Sequence, residues 1–234
     1  MPEDPARELE ELAAQLAGWV RYQGRLGRLG TPAERVSRPV QEAGVPGRAP
    51  TLKEVRAELG DCRRCKLAGG RTRLVFGDGS PRAALMFIGE GPGAEEDQQG
   101  LPFVGEAGQL LNKMLNNLGL KREEVYIANV VKCRPPGNRD PEADEVAACL
   151  PFLKKQIEAL RPRVIVTLGK VATQELLGLK APITRVRGRW QRYGKIPVMP
   201  TFHPSYLLRF RQERHKTWED MQQVMKLLER HEKI

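Results

Sequence analysis

Hydrophobic positions follow two different periods along this chain. Leu9, Leu12, Leu16, Trp19 and Val20 fall near helical spacing, which predicts an amphipathic helix over 7–29. The stretch 30–50 (GTPAERVSRPVQEAGVPGRAP) is rich in Gly and Pro, shows no period and reads as a linker. Thr51, with Glu54 three residues later, is an N-cap signal that opens the helix LKEVRAELG. Beyond it, short apolar runs alternate with helical segments. The strands are ALMFIG (84–89), VYIANVV (125–131), RVIVTLG (163–169) and IPVMPTF (196–202). The helices are 108–119, 142–160, KVATQELLG and 213–231. This alternation predicts an α/β fold, a three-layer αβα sandwich around a central, mainly parallel four-stranded sheet. The chain divides into 1–50, helix plus linker, and 51–234, the domain that carries the chemistry. Ligands of such folds gather at the carboxyl ends of the strands. Here those ends are GEGPG, ANVVKC, TLGK and TFHPS.

Composition adds little to this picture until charge is divided along the chain. The 234 residues are 40% hydrophobic and 29% charged, as in ordinary globular proteins. No run approaches the length of a membrane span, and the acidic N-terminus lacks the apolar stretch of a signal peptide. The expected location is the cytoplasm, with no membrane association. The net charge is +10, and residues 161–202 alone hold nine basic side chains against one acidic. Within that block TRVRGRWQRYGK interleaves Arg185, Arg187, Arg189, Arg192 and Lys195 with Trp190 and Tyr193. A local block points to a polyanionic partner such as nucleic acid. A solvated Arg-rich hairpin accounts for the same residues.

Four cysteines form C-x2-C at Cys62 and Cys65, with Cys133 and Cys149 far downstream. If the fold brings them together, four thiolates suit zinc or an iron–sulfur cluster; otherwise they are four unconnected thiols. The Gly89-Glu90-Gly91-Pro92-Gly93 segment matches neither a P-loop nor G-x-G-x-x-G, yet its glycines let a ligand approach the backbone. Glu95, Glu96 and Asp97 follow as a polar, water-handling group or as acids favourable to a helix N-terminus. Phe103 lies in a Pro/Gly-bounded loop, free to stack on a planar ligand or to join the core. Asn129 sits inside an apolar strand, where its amide reads a base edge or bonds to nearby backbone. His203 ends the fourth strand, placed to stabilise negative charge or to pack as an ordinary structural histidine. Leu207 and Leu208 follow in what reads as a loop, where an apolar side chain can wedge into DNA or simply pack.

Taken together, CRRCKLAGGRTRLVFG (62–77), GEGPGAEEDQQGLPFVGEAGQLL (89–111), YIANVVKCRPPGNRDP (126–141) and MPTFHPSYLLR (199–209) resemble the family-four, iron–sulfur uracil-DNA glycosylases. The resemblance runs from about residue 51 to the C-terminus and leaves 1–50, and any partner of that segment, unassigned. It implies that Cys62, Cys65, Cys133 and Cys149 hold a [4Fe–4S] cluster of structural rather than redox role. It also implies that Phe103 stacks on a flipped uracil, with Gly91 at the same pocket. Asn129 would read the polar edge of the base, His203 would lie near O2, and Leu207 would fill the vacated position in the duplex. Water handling falls to Glu90, Glu96 and Asn138 as a group, and Arg185, Arg187 and Arg189 would hold phosphates. The implied activity is that of a monomeric, monofunctional hydrolase in base excision repair. It would flip uracil out of single- or double-stranded DNA and cleave its glycosidic bond. A uracil-trapping or non-catalytic iron–sulfur DNA-binding module is the alternative. The trapping branch carries a basic, His-containing insertion where this chain has RPPGNRDPEADE.

Overall fold

A computed structural model describes residues 48–232; the helix expected over 7–29 and most of the linker lie outside the described residues. Among the described residues the first element is α1 (Leu52–Leu59), whose capping box forms as the sequence requires: Glu54 N–H donates to Thr51 Oγ1, and Thr51 N–H to Glu54 Oε2. Then follow β1 (Asp78–Gly79), β2 (Leu85–Gly89), α2 (Ala94–Gln99), α3 (Glu106–Asn117) and β3 (Tyr126–Asn129). After them come α4 (Ala143–Leu160), β4 (Val164–Leu168), α5 (Gly169–Leu177) and α6 (Ile183–Val186). The chain closes with β5 (Gln191–Tyr193), β6 (Ile196–Thr201), α7 (Pro204–Arg209) and α8 (Arg214–Glu232).

The sheet order is β1-β3-β2-β4-β6-β5. Its four central strands are parallel and are the four expected from the sequence; β1 and β5 add short antiparallel edges. All five residues of β2 are buried, as a strand covered on both faces must be. Successive residues face opposite layers. Met86 and Ile88 pack with Ile165 and Val198 against Leu153 and Ile157 of α4. Leu85 and Phe87 pack with Ile127 and Met199 against Leu111 of α3 and Met221 of α8. Each such side chain contributes about 1.5–3 kcal/mol of burial, so this stripe fixes which helix covers which face. No described helix is long and apolar enough to cross a membrane.

Candidate active site

The parallel strands deliver their carboxyl ends to one edge of the sheet. Gly89 pairs with Asn129 there, and Leu168 with Thr201, two residues before His203. In front of them opens a cavity of about 530 Å³ lined by Glu90, Gly91, Phe103, Asn138, Lys170 and His203, among others. A Cβ on Gly89 would lie 2.5 Å from Asn129 Oδ1 and 2.6 Å from the Phe103 ring. Glycine at that point is what lets the amide and the aromatic ring meet. Asn129 is buried, and its Oδ1 has no hydrogen-bond partner among the described residues. An orphaned acceptor of this kind costs roughly 1–3 kcal/mol until a donor reaches it.

Phe103 holds a positive φ of 52°, unusual for an aromatic residue. Arg122 keeps it there. Its Nη1 donates to the Phe103 carbonyl at 3.1 Å and to Asn112 Oδ1 at 3.2 Å. Its Nη2 donates to the Pro102 carbonyl, and its Nε lies 3.2 Å from Asp78. Arg122 was not a sequence candidate, because nothing local marks a clamp lying 19 residues from the loop it holds. Glu96 holds the other side of that loop: Oε1 accepts from Val104 and Gly105 N–H at 2.8 and 2.9 Å, and Oε2 accepts from Gly93 N–H at 3.1 Å. Its two oxygens are spent on backbone, so Glu96 fastens the GEGPG turn to the Phe103 loop.

His203 caps α7, with Nδ1 accepting from Ser205 N–H at 3.2 Å and lying 2.8 Å from Ser205 Oγ. An accepting Nδ1 places the ring proton on Nε2. Burial pushes the imidazole pKa down to about 4, against the opposing charge of Glu96, so the ring is neutral at physiological pH. Gly169, at a φ of +89°, starts α5 so closely beside His203 that a Cβ would lie 2.9 Å from the histidine's own. Burial, reinforced by Asp140 and opposed by Lys170, pushes the Glu90 carboxyl up to about 7. Lys170 is paired with Asp140 at 2.9 Å, a hydrogen bond that raises its own pKa. Asn138 is exposed at the rim, where its Oδ1 accepts from Arg134 Nε at 2.8 Å.

Three sequence expectations for the DNA face need correction. Leu207 is only 1% exposed, because TFHPSYLLR is not a loop: Pro204–Arg209 is helical and turns Leu207 inward. Arg187 is spent internally, on the buried carboxylate of Asp220 and the Lys216 carbonyl. The basic block is also not one face. Arg161 and Arg163 precede β4 and Lys195 precedes β6, at the end of the sheet remote from the cavity. Arg185 and Arg189 remain exposed. Phe202 and Tyr206 line the cavity, and their ring series runs on to Phe210 at centroid spacings of 4.9 and 4.5 Å; Phe210 is 41% exposed.

The four cysteines converge on a single small cavity between α1, the 62–73 loop, the segment after β3, and α4. Three of their sulfurs face N–H donors. Arg64 Nη1 lies 3.2 Å from Cys62 Sγ, Arg71 Nη1 3.3 Å from Cys133 Sγ, and the Lys132 amide 3.3 Å from Cys149 Sγ. Burial raises the thiols of Cys133 and Cys149, the latter to about 11. Among the described residues, no group of three or more His, Cys, Asp or Glu side chains is arranged to hold a single metal ion. A tetrahedral zinc centre with sulfur at about 2.3 Å would demand such a group. Four thiols lining one cavity are the donor set that a zinc ion or a cubane with one thiolate per iron would each require.

The molecule is thus an α/β protein with a cavity at the carboxyl edge of its parallel sheet, bearing an aromatic ring and a neutral histidine, with a buried amide beside it. Residues 76–227 match the family model described as the Uracil DNA glycosylase superfamily. The chain is 47% identical over 167 residues to the type-4 uracil-DNA glycosylase of Sulfurisphaera tokodaii, covering 68% of this chain and 76% of that one. It is 53% identical over 154 residues to its counterpart in Thermotoga maritima, covering 64% and 79%. For the type-4 enzyme of Archaeoglobus fulgidus the figures are 43% over 185 residues, covering 76% and 93%. The chain belongs to the uracil-DNA glycosylase superfamily and, within it, to the type-4 family.

Proposed function

We propose that this chain removes uracil from DNA by hydrolysing the N-glycosidic bond, leaving an abasic site for base excision repair. The observation that carries the reading is the unpartnered Oδ1 of Asn129 beside the Phe103 ring. Uracil brings an N3–H donor to such an acceptor. Cytosine brings a bare N3, whose lone pair would face oxygen in a buried site, so it is rejected. Phe103 offers a face on which the flipped base stacks. Because Oδ1 is closed to solvent, the base reaches it by displacing the adjoining ring.

When the C1′–N1 bond breaks, its electron pair leaves with uracil and the sugar becomes an oxocarbenium ion. His203 supplies a neutral Nε2–H donor to the departing anion, fixed in that tautomer by Ser205. Ionised Glu90 orients the water whose oxygen bonds to C1′ and accepts the proton released; Asn138 completes the polar rim. Lys170, kept protonated by Asp140, is no amine nucleophile, which supports a monofunctional enzyme without a strand-cleaving step. Arg185, Arg189 and Arg209 are exposed to take phosphates, and Phe210 replaces Leu207 as the apolar group offered to the duplex.

Cys62, Cys65, Cys133 and Cys149 would hold a [4Fe–4S] cluster, which would supply a structural crosslink between the 62–73 loop, the exit of β3 and α4. A duplex carrying one deoxyuridine opposite G or A, treated with the protein and then alkali, tests the function. Cleavage at the uracil position is expected, with a loss of at least about 100-fold in Asn129→Ala. Absence of any alkali-labile site on both duplexes would refute the reading.

A further inference from the structure

Lys132 is completely buried, yet nothing in the chemistry above uses it. A buried ammonium costs several kcal/mol that a methionine of similar length would avoid. Two neutral oxygens hold it: Nζ donates to the Asn129 backbone carbonyl at 2.7 Å and to Gln156 Oε1 at 2.5 Å. Their position explains the need. Edge strand β1 pairs with β3 only at Ile127 and Tyr126 and stops short of Asn129. Beyond that point side chains replace the ladder. Gln156 Nε2 donates to the Phe76 carbonyl at 2.9 Å and Lys132 to that of Asn129, so Phe76, Gln156, Lys132 and Asn129 form one hydrogen-bonded chain. The Lys132 backbone enters the same arrangement, its carbonyl accepting from Val75 N–H at 2.8 Å and its amide facing Cys149 Sγ at 3.3 Å.

We propose that Lys132 is a positioning residue that sets the orientation of the base-reading Asn129 and links it mechanically to the four-cysteine centre. The inference rests on the reading of Asn129 as the uracil-binding amide. Among the described residues its Oδ1 has no partner to orient it, and β2 holds its strand from one side only, so on the edge that β1 leaves open the peptide unit that carries the side chain needs a second hold. The ammonium does this through the carbonyl of that residue. Displacement of Cys149 or Cys133 moves Lys132, and with it the amide at the cavity. The cysteine centre thereby contributes to selecting the base without taking part in the reaction.

Lys132→Met in the full-length protein tests this. Its kcat/KM on a uracil duplex should fall at least about tenfold, and the free uracil concentration giving half-inhibition should rise by a similar factor. Affinity for a duplex with a stable abasic-site analogue, and metal content, should stay within about twofold of wild type. Partial unfolding would lower only the active fraction, leaving inhibition by uracil unchanged, and that result would overturn the proposal. So would an equal loss of affinity for the abasic analogue. If Lys132→Met does not fold, Gln156→Met, which removes only the second anchor, decides. It should weaken uracil inhibition about threefold, and wild-type inhibition would overturn the proposal. A wild type that releases no uracil would instead remove the reading of Asn129 itself, an outcome visible before any variant is compared.

Discussion

Glu90→Gln separates catalysis from stability in a way that can be worked through. The carboxyl, normally near 4.5, is pushed up to about 7 by burial and by Asp140. A raised pKa means that the folded state binds this proton more tightly than the unfolded state. The stability it gives is therefore complete below 4.5 and is lost as pH rises through about 7. Ionising Glu90 in place costs at most about 3 kcal/mol, the free-energy equivalent of moving from 4.5 to about 7. Solvent in the open cavity screens this to roughly 1–2 kcal/mol. Gln has the same shape and no charge. Urea unfolding should find the two proteins equally stable at pH 4 and the variant about 1–2 kcal/mol more stable at pH 8. Activity should run the other way. In wild type, kcat/KM should rise with pH through about 7, since at pH 5 only about 1% of Glu90 is ionised. His203 adds no limb there, because burial holds it neutral down to about 4. Glu90→Gln should flatten that limb and lose at least about 100-fold at pH 8. Equal stability at both pH values, or a variant as active as wild type, would refute the reasoning.

Two further outcomes follow from the loop and the rim. Arg122→Met frees the carbonyls of Pro102 and Phe103 from their clamp. KM should then rise about tenfold and uracil inhibition weaken, while affinity for an abasic duplex is kept; steady-state kinetics and a competition assay check this. Phe210→Ala removes the exposed end of the aromatic series at a cost of less than about 1 kcal/mol in stability. It should slow excision from duplex more than from single-stranded DNA, and equal slowing on both would remove Phe210 from the duplex contact.

The parallel core was legible because its signal is repeated: four apolar runs, each long enough to cross the sheet, each followed by a helical segment. The two edges were not. Asp78–Gly79 is too short to show a period, and Gln191–Tyr193 is polar, so its pairing with β6 leaves no hydrophobic trace. Glu90 and His203 stand out at strand ends, Phe103 in its Pro/Gly-bounded loop and Asn138 only through the family resemblance; the structure places all four on one cavity. Asn129 stands just behind it. Glu96 also lines the cavity, and its three backbone hydrogen bonds give it a holding task that no sequence spacing shows. Leu207 failed for a different reason. His203 and Pro204 supply an N-cap and an N1 proline, a helix start that fits a short turn equally well, and the helix decides which leucine faces in. Arg122 and Lys132 act across the tertiary structure, on partners chosen by packing rather than by spacing.

The division of basic charge between the two ends of the sheet has a kinetic consequence. Arg161 and Lys195, with Lys154 and Lys155, border a depression at the end remote from the cavity, while Arg185, Arg189 and Arg209 are placed elsewhere. With +10 on the whole chain, long-range attraction to DNA would act at both of these basic regions and not at the cavity alone. On the proposed reading, orientation would be decided at contact, where the ring of Phe210 is exposed. Capture and alignment would thus be separate steps: salt would govern how often the protein meets DNA, and the cavity which meetings become productive.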